Sequence, residues 1–180
     1  ATALKAQGLG FRVIAYDPLI EPKDFVERGA ESVDLATVMS SADFVSVNCP
    51  LTKVSRGMIG AAEFAKMKPG AFFITTARGG IHDEAALAEA LTERRIAGAG
   101  LDVFIDEPPA ADHPLLDFDN VVVSPHNAGV TLDSGFNAAK AAAEQWAVIF
   151  AGRRPPRLVN PDAWDGFAER YEALFGAADG

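Results

Sequence analysis

Arg78, Glu107 and His126 are a guanidinium, a carboxylate and an imidazole, and each stands a few positions past a short run of β-branched and aromatic residues. The runs are FFITT (72–76), GLDVF (100–104) and NVVVS (120–124), which read as buried strands. In an open parallel α/β sheet, side chains just beyond the strand ends share one crevice, so residues distant in sequence can meet there. A guanidinium in that crevice can grip an anion through paired donors, while a carboxylate and an imidazole can move a proton. Taken singly, each residue has a quieter role. Arg78 can be a surface loop residue or a helix partner, Glu107 a solvated turn charge before two prolines, and His126 a loop imidazole bonded to backbone. Their common placement favours the chemistry.

The elements that must position them alternate strand and helix. FRVIAY (11–16) predicts a strand, PKDFVERG (22–29) a short helix, and VDLATVMSSA (33–42) a helix capped by Asp34. DFVSVN (43–48) is the next strand, followed by a loop, a helix near 61–67 stopped by Pro69 and Gly70, and the strand AFFITT. Asp83 then reads as the N-cap of DEAALAEALTERR, whose Ala86, Leu87, Ala90 and Leu91 share one face. AGAGLDVF and NVVVS are the last two strands. A long alanine-rich helix from about 131 to 150 precedes a Pro/Arg connector and a tail. Continuous apolar strands separated by helices specify a doubly wound parallel α/β sheet. The alternation ends near Gly129, so residues 1–129 are expected to form one domain and 130–180 a separate C-terminal part.

Composition narrows the function classes. With 16 basic against 25 acidic residues the formal charge is −9, and no basic run exceeds two residues, which argues against nucleic acid. An anionic substrate therefore needs a local cation such as Arg78. No apolar run approaches a membrane span, and Cys49 is the sole cysteine, which fits a reducing cytoplasm. No metal site is expected. The chain opens inside a helical pattern, ATALKAQ, which carries no N-cap and runs to Gly8 and Gly10. It reads as a piece cut within a helix.

Asp17 ends the first strand, with Pro18 behind it. In a dinucleotide-binding fold an acidic residue at this place bonds the adenosine ribose and repels a 2′-phosphate, and a turn-forming aspartate before proline is the competing reading. Five motifs then carry a resemblance: YDP at 16–18, NCPLT at 48–52, TTARGGIHDEAAL at 75–87, GAGLDVFIDEPP at 98–109 and SPHNAG at 124–129. In this order they resemble the NAD-dependent D-2-hydroxyacid dehydrogenases, among them phosphoglycerate dehydrogenases and glyoxylate/hydroxypyruvate reductases. The separations of Arg78, Glu107 and His126 are similar to those usual for the family's catalytic arginine, glutamate and histidine.

The resemblance implies a two-domain enzyme, a homodimer in its full-length form, acting with NAD on a small 2-hydroxy or 2-oxo acid. This chain would supply a Rossmann-type NAD-binding domain truncated before its glycine-rich turn, plus a helix and tail returning to a missing substrate domain. By the same resemblance Arg78 binds substrate and Glu107 with His126 forms the acid/base pair. Asp17, Pro18, Cys49, Pro50, Thr76, Ala77 and Gly129 would line the cofactor together with Arg78 and His126, and Asp102 would bond the nicotinamide carboxamide. His82 and His113 match no catalytic position; His82 reads as part of a helix entry and His113 as a loop residue.

Asp133 and Ser134 stand where many members carry glutamate then alanine, so the following helix is expected to cap differently. Glu107 separates the chain from the formate dehydrogenase branch, which has glutamine there. Two other readings keep the same motifs: a non-enzymatic NAD-sensing module like the corepressors that share this fold, and the phosphite dehydrogenase branch. Residues 1–180 alone are expected to be inactive, because the strand that would sit between 11–16 and 43–48 belongs upstream of the glycine turn.

Overall fold

The computed structural model describes residues 2–176. In chain order the elements are α1 (Thr2–Gly8), β1 (Ile14–Ala15), α2 (Pro22–Glu27), β2 (Glu31–Ser32), α3 (Leu35–Ser41), β3 (Phe44–Val47), α4 (Ala61–Phe64), β4 (Phe72–Thr75), α5 (Glu84–Thr92), β5 (Gly98–Leu101), a 3-10 turn (Pro114–Leu116), β6 (Val121–Val123), α6 (Leu132–Phe150) and α7 (Ala163–Phe175). The chain divides into two compact units, residues 1–128 and 129–180. No helix among the described residues is long and apolar enough to cross a membrane.

The first unit holds the parallel α/β sheet expected from the sequence. Strands β3-β4-β5-β6 pair in parallel in that order, and β1-β2 form a separate parallel pair. Among the described residues no ladder joins the two sheets, so β1 and β3 each keep one unpaired edge. Phe11 meets the Phe44 ring edge-on at 5.8 Å beside β3.

Side chains alternate across the sheet as the pleat requires. Val45, Val47, Phe73 and Leu101 face a core completed by Met39, Phe64, Leu87, Leu91 and Leu115. Phe64 and Phe73 meet edge-on at 5.1 Å. Helix α5 turns Ala86, Leu87, Ala90 and Leu91 inward, and burying Leu87 alone contributes about 2–3 kcal/mol. Both predicted caps form. Asp34 accepts from the Thr37 amide at 2.6 Å and Asp83 from the Ala86 amide at 3.0 Å.

Several expectations are corrected. The run FRVIAY condenses to Ile14–Ala15, because only that stretch has a partner, the unanticipated β2. The strand ahead of His126 is not buried: β6 is the sheet edge, and Val122 and Val123 are exposed. What reads as a tail contains α7, whose Trp164, Phe167, Tyr171 and Phe175 follow helical spacing and stack in sequence. That aromatic stripe was a signal available in the sequence. At α6 the different capping takes a specific form: Thr131 and Ser134 bond each other's backbone amides at 3.0 Å.

His82 stands at the entry of α5, directly before the Asp83 cap, as expected, but it is buried there. It is 1% exposed, bridges to Ile59, lies 5.2 Å from the Phe73 ring, and neither ring nitrogen has a hydrogen-bond partner. Burial holds its imidazole below the ordinary value, against the opposing pull of Glu84 and Asp83. The unfolded chain, with a histidine value of about 6.5, therefore takes up a proton first as pH falls. The contribution of His82 to stability is constant above that value and declines below it, at up to about 1.4 kcal/mol per pH unit while only the unfolded state is protonated. Urea midpoints measured from pH 7.5 to 5 should fall less steeply for His82→Leu than for the native residue; equal slopes would remove His82 as the cause.

Candidate active site

Ladder bonds continuing past the strands set the scaffold of the site. The Asp102 amide donates to the Thr75 carbonyl at 3.0 Å and the Ser124 amide to the Leu101 carbonyl at 2.9 Å, which brings the ends of β4, β5 and β6 level. Arg78, Glu107 and His126 leave these three ends and meet. His126 Nδ1 lies 2.7 Å from Glu107 Oε2, and His126 Nε2 lies 3.5 Å from Arg78 Nη1. All three side chains are open to solvent on this rim.

The geometry assigns roles to the two ring nitrogens. A carboxylate only accepts, so the nitrogen facing Glu107 carries the hydrogen and Nε2 is left to exchange a proton. The hydrogen bond from His126 and a second from the Phe104 amide, at 3.0 Å, hold the Glu107 carboxyl below the usual carboxylate value. Arg78 spends one donor on the Ala77 carbonyl at 2.6 Å. When the imidazole is protonated, Nε2 and Arg78 are two donors facing a common point, an arrangement that calls for an acceptor oxygen between them.

Asp102 anchors the loop that carries the imidazole. It is 3% exposed, and its carboxylate accepts from the Ser124 hydroxyl at 2.6 Å and from the amides of Asn127 and Ala128 at 2.9 and 3.0 Å. Burial pushes its carboxyl up, but these bonds outweigh it and the group sits below its ordinary value. Between those anchors His126 adopts φ 50°, a left-handed conformation that a non-glycine residue keeps only where its surroundings impose it.

The other candidate positions fall as follows. Asp17 stands just past β1 and accepts from the Leu19 amide at 2.9 Å through one oxygen. It is close enough to Cys49, past β3, to affect it: burial first and the Asp17 charge second push the thiol up, against a backbone hydrogen bond. Pro18 and Pro50 are exposed, and the Pro50 carbonyl accepts from Ser55. Thr76 is exposed and Ala77 buried, between β4 and Arg78. Gly129 opens the second unit, where its carbonyl accepts from the Ser134 hydroxyl. Among the described residues no group of three or more His, Cys, Asp or Glu is placed to hold a metal ion.

No site role is legible in the sequence for Ser124, Gly79, Glu84 or His113, yet all four contact groups around the site. Ser124 opens the SPHNAG motif and could have been suspected. Gly79 packs against the Phe104 carbonyl, and Glu84 reaches across to the loop of Glu107 with His113 behind it. His113 is the loop residue expected, and its Nδ1 accepts from the Leu115 amide at the start of the 3-10 turn.

The chain is similar to proteins of one family along most of its length. Residues 1–128 match the family described as D-isomer specific 2-hydroxyacid dehydrogenase, NAD binding domain. A D-3-phosphoglycerate dehydrogenase of Archaeoglobus fulgidus is 42% identical over 158 residues, which cover 88% of this chain and 30% of that protein. A glyoxylate reductase of Korarchaeum cryptofilum is 42% identical over 163 residues, 90% of this chain and 49% of the relative. Among solved structures, the D-lactate dehydrogenase with NAD+ from Lactobacillus jensenii superposes with a TM-score of 0.79 at 35% identity, covering 88% of this chain and 51% of that one. The chain thus spans about half or less of the length of these relatives.

Proposed function

Because the chain belongs to the D-isomer specific 2-hydroxyacid dehydrogenases, matched along their NAD-binding domain, we propose that the whole protein passes hydride between NAD and a D-2-hydroxy acid or its 2-oxo partner. The observation that carries this reading is the meeting of Arg78, His126 and Glu107 at 3.5 and 2.7 Å. Arg78 holds the substrate carboxylate and polarises the neighbouring carbonyl, since its planar fork serves two acceptors at once. His126 Nε2 gives a proton to that carbonyl oxygen in reduction and takes it back in oxidation. Glu107 keeps Nδ1 protonated and balances the imidazolium charge.

NAD supplies or receives the hydride when bound, and the residues at the strand ends suit it. Asp17 has one carboxylate oxygen taken by the Leu19 amide, which leaves the other for a ribose hydroxyl. Pro18, Cys49 and Pro50 stand beside it as the adenosine wall. Thr76, Ala77 and Arg78 border the nicotinamide end with His126. Asp102 spends its oxygens on Ser124, Asn127 and Ala128, so any bond to the carboxamide is shared with those anchors. Gly129 lets backbone come close.

The reading extends to a homodimer in the cytoplasm, with residues 130–180 returning to a substrate domain. A sole cysteine suits a reducing compartment, and the exposed Leu132, Phe136, Trp146 and Phe150 of α6 are apolar surface that wants covering.

The test is reduction of a panel of 2-oxo acids by the whole protein with NADH and with NADPH. The Asp17 carboxylate repels a 2′-phosphate, so kcat/KM with NADH should exceed that with NADPH by at least about tenfold, equivalent to about 1.4 kcal/mol. Absence of turnover with every 2-oxo acid would overturn the activity. A preference for NADPH would overturn the role of Asp17.

A further inference from the structure

The peptide unit between Phe104 and Ile105 is the junction of the site. Its carbonyl lies against Gly79, beside Arg78, so closely that a Cβ there would stand 1.9 Å from the oxygen. Its N–H donates to Glu84 Oε1 at 2.7 Å. One residue back, the Phe104 N–H donates to Glu107 Oε1, and the other oxygen of Glu107 meets His126. Two consecutive amides are thus held by two carboxylates, one from the start of α5 and one from the acid/base pair itself.

Glu84 is itself fixed. Its Oε2 lies 3.2 Å from His113 Nε2, and the side chains of Glu84 and His113 are 13% and 21% exposed, so water competes weakly for the contact. The Leu115 amide donates to His113 Nδ1 at 3.3 Å, which leaves Nε2 to donate to Glu84. The His113 ring also packs edge-on against Phe104, 5.3 Å between centroids. The chain of contacts runs from the 3-10 turn through His113 and Glu84 to the loop of Glu107.

We propose that Glu84, braced by His113, is a positioning residue that sets the Phe104–Ile105 peptide and thereby aims the Glu107 carboxylate at His126. The proposal rests on the assignment of Glu107 and His126 as the acid/base pair. The bonds of Glu84 and His113 go to the Ile105 amide, to each other and to the Leu115 amide, not to Arg78 or His126. Their effect reaches the chemistry through one peptide plane, which a truncated side chain leaves free to rotate toward solvent and carry Glu107 away from the ring.

The test uses Glu84→Ala, Glu84→Gln and the native protein, with His126→Ala alongside. Glu84→Ala should lower kcat for 2-oxo acid reduction about ten- to hundredfold, the usual worth of a partner that orients a functional side chain from behind. The alkaline limb of its pH profile should move to lower pH, while KM for the oxo acid and the dissociation constant for NADH stay within about twofold of native. Glu84→Gln keeps an oxygen for the Ile105 amide and should fall between the two. Histidine-labelled NMR spectra follow the His126 titration with no substrate present, and its midpoint should drop in Glu84→Ala and less in Glu84→Gln. Unchanged midpoint and pH limb in both folded variants would overturn the proposal. If the native protein turns over no 2-oxo acid but the midpoint still drops, the positioning stands and the functional reading falls.

Discussion

His126→Ala is expected to lower kcat for 2-oxo acid reduction by about two to four powers of ten, the range lost when a positioned acid/base group is removed. The cofactor side should survive, because Asp17 and Cys49 leave other strand ends, and Asp102 holds the loop through its backbone amides at Asn127 and Ala128. NADH dissociation constants should therefore change little while kcat collapses, which is the signature of a group that acts in the transition state. Glu107→Gln makes the complementary case. Gln can still meet Nδ1, but the charge at 2.7 Å is gone, so the ring gives up its proton at lower pH and the alkaline limb of the reduction profile moves down. Stopped-flow rates across pH for both variants check the pair. Near-native reduction by His126→Ala would move the proton donor elsewhere.

Gly79→Ala should have the largest effect on stability of any substitution so small. The added methyl would stand 1.9 Å from the Phe104 carbonyl oxygen, 2.2 Å from its carbon and 2.6 Å from the Ile105 nitrogen. No side chain can swing aside, because all three atoms are backbone, and the adjoining amides are tied to Glu84 and Glu107. Displacing that segment should cost about 3 kcal/mol, the upper end of what overpacking usually exacts. Turnover should fall with it, since the Phe104 amide that holds Glu107 against His126 moves with the segment. Gly70→Ala is the control: nothing lies within 4 Å of the place its methyl would take, and stability should stay within about 0.5 kcal/mol. Paired urea melts decide the matter, and equal midpoints for the two variants would contradict the packing argument.

The sequence by itself determined what is local. Apolar runs marked the strands, Asp34 and Asp83 marked helix starts through bonds that close within three residues, and the apolar face of α5 followed from its period. Placing Arg78, Glu107 and His126 past strand ends was enough to expect them together, because parallel strands present their C-terminal ends along one edge. Tertiary structure decided what depends on partners from elsewhere in the chain. Exposure of β6 follows from its place at the sheet edge, which no window of residues encodes. His82 looks like a polar residue at a helix entry and becomes a buried imidazole only because Ile59 and Phe73 close over it. Asp102 becomes the anchor of the His126 loop only when β6 lies beside β5, with Ser124 delivered to its carboxylate. Glu84 and His113 carry no motif for their contact, since hydrogen bonds across the fold leave no periodicity in the chain; their geometry exists only once α5, the Glu107 loop and the 3-10 turn have packed.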